Sequence, residues 1–230
     1  MTTATCVPKE FLAFLRDLAA HNDKAWFEKN KPRYERDVVE PARALVRRLS
    51  ADLGSAFPHV VGSDAKSGGS LTRIFRDTRF GKDKSPYHVH VGMHFWHDRG
   101  RKMETPGFFL RIDADEVLVA TGQHQPEPPL LDKIRKSIDA DRKGWEKASR
   151  DKAFLASWGG LDGESLKRVP APYPADHPSA DDLRRKDFTA FARVASVEAT
   201  KPGFADATVA RWKASRPLMS FLCDAAGLPF

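Results

Sequence analysis

The chain has few cysteines, no long apolar run and no block of like charge, and each shortage narrows what it can be. Cys6 and Cys223 are the only cysteines in 230 residues and stand near opposite ends. They form no closely spaced framework, so a reducing compartment is expected. No apolar stretch approaches the roughly 20 residues that cross a bilayer. The opening Met-Thr-Thr-Ala-Thr-Cys lacks the basic and apolar regions of a secretory signal. A cytoplasmic protein with no membrane partner is therefore expected. The formal charge of +7 favours anionic partners, but no five or six cations run consecutively as in a nucleic-acid-binding tail. Phosphate-cradling loops (Gly-x-x-x-x-Gly-Lys-Ser/Thr, Gly-x-Gly-x-x-Gly), the Gly-x-Ser-x-Gly elbow and Cys-x-x-Cys are all missing. No cofactor is expected, and no standard enzyme class is indicated.

What is present is ordinary in bulk: 41% apolar and 30% charged residues, enough to bury a core without staples. One domain over 1–230 is expected, ordered from about 8 to 226. Phe11, Leu12, Leu15 and Leu18 share a face at helical spacing. Asn22 or Asp23 can cap a short second helix through Trp26 and Phe27. A longer helix is expected from near Pro32 to Gly54, kinked at Pro41. Residues 62–70 read as a flexible loop. From His88 to Trp96 the pattern alternates, with Val89, Val91, Met93 and Phe95 on one face and His88, His90, Gly92 and His94 on the other. His97 falls on the face opposite the other histidines. Phe108 to Asp113 and Glu116 to Thr121 read as a hairpin around Ala114-Asp115.

After the hairpin the pattern turns helical. One helix is marked by Leu131, Ile134, Ile138 and Trp145. A proline-rich irregular stretch covers 169–178, and Ser179 with Asp182 resembles a capping box. A last helix spans about 205–226, broken near Pro217. Strands grouped between two helical regions predict an α+β fold, with a mainly antiparallel central sheet flanked by N-terminal and C-terminal helices.

The chemistry concentrates between Arg73 and His94. Five cations (Arg73, Arg76, Arg79, Lys82, Lys84) face two acids, Asp77 and Asp83. Guanidinium forks suit phosphate and carboxylate, and Gly81 lets backbone approach an anion. The surplus must face water, find acids elsewhere or hold a ligand, because a buried unpaired charge is costly. Arg76, Arg79, Lys82 and Lys84 are thus candidate anion-binding residues, with Lys167 and Arg168 as helpers from the later basic stretch. His90 and His177 are candidates for proton transfer, and Asp77 for orienting an arginine. His88 and His90 lie roughly 7 Å apart along a strand and could be a metal pair, but Arg111 on a neighbouring strand would repel a cation, so no metal is expected.

The run Phe75-Arg-Asp-Thr-Arg-Phe-Gly-Lys-Asp-Lys-Ser-Pro-Tyr87 resembles the hallmark of DUF2461, a bacterial and fungal family of conserved hypothetical proteins. Trp26-Phe-Glu-Lys-Asn30, Pro106-Gly-Phe-Phe-Leu110, Pro126-Glu-Pro128, Lys167-Arg-Val-Pro170, His177-Pro178 and Lys186-Asp-Phe188 are similar to further motifs of that family. The resemblance covers about 8–226 and implies one domain without a defined activity. His88 stands where the family usually has lysine, so the resemblance attaches to the arginines and lysines of the window. The expectation is a cationic pocket for a phosphorylated or carboxylated small molecule, which a transferase or a hydrolase would fit. The alternatives are a nucleic-acid-binding module on the same basic surface and a metal-dependent protein using His88 and His90.

Overall fold

The computed structural model describes residues 4–79 and 82–230. Gly81, assigned above to the anion loop, lies outside the described residues. The chain opens with α1 (Lys9–Ala20) and α2 (Lys24–Tyr34), then a π-helical turn (Glu35–Val39) leading into α3 (Glu40–Gly54). Asp23 caps α2 by accepting from Trp26 N–H. The short helix expected through Trp26 and Phe27 is α2, and it runs on past Pro32 into the π turn, so the longer helix has no separate start there. Pro32 sits inside α2, and the kink expected at Pro41 takes the form of the π turn just before it. Proline has no N–H for the carbonyl four residues back, and the wider turn, with Glu40 N–H donating to Glu35 O, absorbs that defect.

Strands β1 (Val60–Val61), β2 (His90–His97), β3 (Gly107–Asp113), β4 (Glu116–Gln123) and β5 (Phe188–Ala195) form one antiparallel sheet in that spatial order. The fold is α+β, as the sequence pattern predicts. Between β4 and β5 come α4 (Pro128–Ala140), α5 (Arg142–Ser149), α6 (Lys152–Trp158) and the single turn α7 (Ala180–Leu183). A short 3-10 segment (Ser196–Thr200), α8 (Phe204–Lys213) and α9 (Arg216–Ala226) follow β5.

Three expectations are corrected. The helix through Trp145 is two helices, split where Asp141 caps α5 by accepting from Gly144 N–H. Ser179 makes no side-chain cap, and its helix ends after four residues. The loop 62–70 is pinned: Ser70 N–H donates to Ser63 O, and Ser63 N–H to Ser70 Oγ at 2.9 Å.

Alternation divides the sheet into two faces. The inner face carries Met93, Phe95, Phe108, Leu110, Val117 and Phe188, all buried beneath the helices. Trp212 of α8 packs 5.3 Å from Phe95 and 5.2 Å from Phe108, ring centre to ring centre. Its indole N–H donates to Ala120 O at 3.0 Å. Thr121 and Ser215 share a buried hydroxyl hydrogen bond of 2.8 Å. With the helices on the inner side, the outer face is left for chemistry.

Candidate functional site

The ladder register arranges the outer face in rows. His90 pairs with Asp113, Gly92 with Arg111, His94 with Phe109 and Trp96 with Gly107. Phe109 pairs with Ala120 and Gly107 with Gly122. Ala120 then pairs with Phe191, and Gly122 with Thr189. One end of the face is therefore polar. The other end holds a depression of about 360 Å³, whose lining comes from strands and their connecting loops alone. Its walls are Trp96, Phe109, Phe191, Leu118 and Met103.

The facing glycines Gly107 and Gly122 keep its floor bare. A side chain at either would strike a neighbouring strand's carbonyl, Phe95 O or Phe188 O respectively. Gly122 also has φ 109°, a conformation that side chains rarely tolerate. The β2–β3 loop forms the rim. Met103 holds φ 66° there, and Gln123 Nε2 donates to its carbonyl at 2.9 Å.

The polar groups of the depression are few. Thr189 Oγ1 is buried and has no hydrogen-bond partner among the described residues, although a buried hydroxyl normally finds one. Lys102 Nζ stands 4.9 Å over the Trp96 ring, and burial lowers its pKa. Arg193 lies at the opposite wall and pairs with Glu116 at 3.3 Å. His124 lines the mouth, its Nδ1 3.0 Å from Asp187 Oδ1. Asp187 is 3% exposed and also accepts from Gln125 N–H and Glu164 N–H.

His94 is pushed down to about 4, by burial first and by the Lys102 charge second. His90 is likewise pushed down to about 4, by burial first and then by His88 and Arg111. Both imidazoles are therefore neutral near pH 7. A depressed histidine pKa means that the unfolded chain binds protons first. Stability should be level above about pH 6.5, the unfolded value, and should fall as pH drops toward about 4. The carboxylates of Asp37, Asp64, Asp77 and Asp83 have lowered pKa values, so their own losses come at lower pH. Urea midpoints measured across this range should show the decline, and His94→Gln should make it shallower. An unchanged slope in the variant would contradict the assignment.

The residues singled out from the sequence lie elsewhere. Arg76 pairs with Asp83 and donates to Ser85 O at 3.2 Å. Arg79 pairs with Asp77 at 2.6 Å, the orienting contact expected of Asp77. Lys84 donates to Thr78 O at 2.8 Å, and Lys82 is exposed. Both acids of the window are thus engaged by its own arginines. Arg76, His88, His90 and Arg111 do gather at the polar end of the outer face: the His88 and His90 rings lie 5.0 Å apart, and Arg76 and Arg111 add positive charge beside them. That charge disfavours a metal ion at the histidine pair.

Lys167, Arg168 and His177 do not join this group. They belong to the chain that leads into β5, which starts at the opposite end of the sheet and roughly 14 Å across it from β2, three strand spacings away. Both Lys167 and Arg168 are exposed. Neither ring nitrogen of His177 is free, since Nε2 bonds Asp139 Oδ1 at 3.0 Å and Nδ1 accepts from Ser179 N–H. That removes the lone pair a proton-transfer group needs.

A further grouping with metal-ligand spacing is His59, His97 and Asp98. His97 is already committed, with Nε2 at 2.8 Å from Pro229 O and Nδ1 accepting from Arg99 N–H. The two rings stack within 11° of parallel, so their in-plane lone pairs run side by side. The cluster ties the chain's C-terminal end to β2.

Sequence reasoning missed His124, Asp187, Thr189, Phe191 and Lys102. Two signals were available. Asp187 lies inside the Lys186-Asp-Phe188 motif, and 188–194 alternates as Phe-x-Ala-x-Ala-x-Val. Among known proteins, a family model described as Conserved hypothetical protein (DUF2461) matches residues 10–221. No curated protein and no solved structure matches the chain.

Proposed function

We propose, from the premise that the chain belongs to the DUF2461 family of conserved hypothetical proteins, that the outer-face depression binds a small, flat, largely apolar molecule bearing one carboxylate. The observation that carries this reading is a cavity walled by the Trp96, Phe109 and Phe191 rings over a floor kept bare by Gly107 and Gly122. The bare glycine floor accommodates a flat body between Trp96 and Thr189. Lys102, over the Trp96 ring beside the lining, favours an anion and opposes a cation, whereas Arg193 in the lining is already paired with Glu116.

Three probes of one shape separate the contributions: 1-naphthoate, neutral 1-naphthalenemethanol and the 1-naphthylmethylammonium cation. Calorimetric titration should rank them in that order. Lys102→Glu should weaken naphthoate by roughly tenfold, about 1.4 kcal/mol, with little effect on the alcohol. Equal affinity for the cation, or no response to Lys102→Glu, would remove the reading.

The window at the polar end supports a second reading. Arg111 Nε is buried there without an acceptor, beside Arg76, His88 and His90. An anion seat using Arg76, Arg79, Lys82 and Lys84 would suit a phosphorylated molecule. Inorganic phosphate should then raise the melting temperature of the wild type, and Arg76→Ala should abolish the rise. No response of the wild type to phosphate ends this reading.

A further inference from the structure

The depression has a polar corner that a lone carboxylate leaves unused. Most polar groups of its lining are engaged or sealed. Thr121 Oγ1 shares a hydrogen bond with Ser215, Thr105 Oγ1 accepts from His97 N–H at 3.3 Å, and Arg193 pairs with Glu116. Thr189 Oγ1 has no surface on the cavity. His94 is different. Its ring lines the cavity and packs 4.5 Å from the Phe109 ring, centre to centre. Neither ring nitrogen has a hydrogen-bond partner among the described residues, and neither is sealed from solvent. Both are therefore open to a ligand. The Lys102 ammonium lies over Trp96, which is two residues along β2 from His94, and its charge reaches the imidazole. Lys102 has no carboxylate partner among the described residues. Burial and that charge push His94 down to about 4, so the ring is neutral near pH 7. A neutral imidazole presents one N–H and one lone pair. It can accept from a hydroxyl, but it does not compensate a second carboxylate, which is costly to desolvate unpaired. At the mouth, the Asp187 carboxylate beside His124 repels an anion. The acid end of a ligand therefore belongs at Lys102.

We infer that the depression selects an aromatic monocarboxylate carrying a hydroxyl on the same ring, with the carboxylate at Lys102 and the hydroxyl donating to His94. The inference rests on the carboxylate-binding reading above and specifies the ligand of that site. Spacing narrows the class further. Residues two apart on a strand, as His94 and Trp96 are, stand roughly 7 Å apart. Ligand groups serving both ends of that span belong on ring carbons two apart. A hydroxyl on the adjacent carbon would bond its own carboxylate instead of the imidazole. A dicarboxylate of the same shape is rejected, because the second charge meets a neutral ring. His94 is thus a specificity-determining residue that reads hydroxyl against carboxylate.

The test is calorimetric titration of the full chain with probes of one skeleton: 2-naphthoate, 4-hydroxy-2-naphthoate, 4-methoxy-2-naphthoate and naphthalene-1,3-dicarboxylate. The hydroxy acid should bind roughly five- to tenfold tighter than 2-naphthoate, the net worth of one hydrogen bond. The methoxy acid cannot donate and should lose that gain. The dicarboxylate should bind more weakly than 2-naphthoate. His94→Phe should close the gap between the hydroxy acid and 2-naphthoate within the variant. His94→Gln keeps an acceptor and should restore part of it. The wild-type comparisons decide the matter even where His94→Phe fails to fold. Binding of 2-naphthoate without a gain from the hydroxyl overturns the inference while the carboxylate site stands. A gain that survives His94→Phe, or a dicarboxylate that binds tightest, does the same. Failure of 2-naphthoate to bind removes both.

Discussion

Trp212→Ala is expected to lower unfolding free energy by about 3–5 kcal/mol, the usual cost of removing a buried tryptophan. The indole is fully buried and sits between Phe95 of β2 and Phe108 of β3. Its N–H also satisfies Ala120 O on β4 at 3.0 Å. One side chain from α8 thus grips three adjacent strands from beneath. Two losses combine in the variant, the packing of the ring and its hydrogen bond to that carbonyl. The floor of the depression lies directly on the other side, because Ala120 is one of its lining residues. Urea unfolding should show the lower midpoint, and 1-naphthoate affinity should fall with it. A loss below about 1 kcal/mol would mean that the core collapses around the vacancy.

Thr189→Val is expected to raise stability and leave binding nearly unchanged. The two side chains match in shape, so packing is kept while the hydroxyl is removed. In the unliganded protein that hydroxyl is buried and unpartnered, and its loss should stabilise the fold by about 1–2 kcal/mol. For a chain of this length, that raises the melting temperature by a few degrees, on the order of 2–4 °C per kcal/mol. Naphthoate affinity should change little, because the hydroxyl oxygen has no surface on the cavity. If the valine variant is less stable than wild type, the hydroxyl has a partner.

The inner face was legible in the sequence because burial leaves a strict period. Val91, Met93 and Phe95 alternate with His90, Gly92 and His94, and the structure keeps that division along β2. The β3–β4 hairpin around Ala114-Asp115 was equally plain. Strand β5 was not. Its inward residues are Phe188, Ala190, Ala192 and Val194, and alanine carries little strand preference. Pairing with β4 along its whole length makes it a strand. Without β5, the aromatic wall at Phe191 and the hydroxyl of Thr189 had no place.

Charge counting drew the eye to the window for a sound reason, since five cations against two acids demand an outlet. Counting along the chain does not say which cations reach solvent. Asp77 and Asp83 engage Arg79 and Arg76, while Lys82 and Lys84 are exposed at the surface. The apolar depression left no comparable mark. Its residues come from 94–96, 103–109, 118–124 and 189–193, and no stretch of sequence contains enough of them to stand out.

The sequence by itself determined the fold class, the Asp23 cap of α2, the faces of β2 and β3 and the family. These rest on local periodicity, backbone chemistry and motifs of neighbouring residues, which a linear reading can follow. Only the tertiary structure decided which histidine lies beside a cavity and which hydroxyl is buried without a partner. Those properties depend on what lies opposite across the sheet. His124 meets Asp187 sixty-three positions later, and Gly122 meets Thr189, because antiparallel pairing of β4 with β5 brings them together.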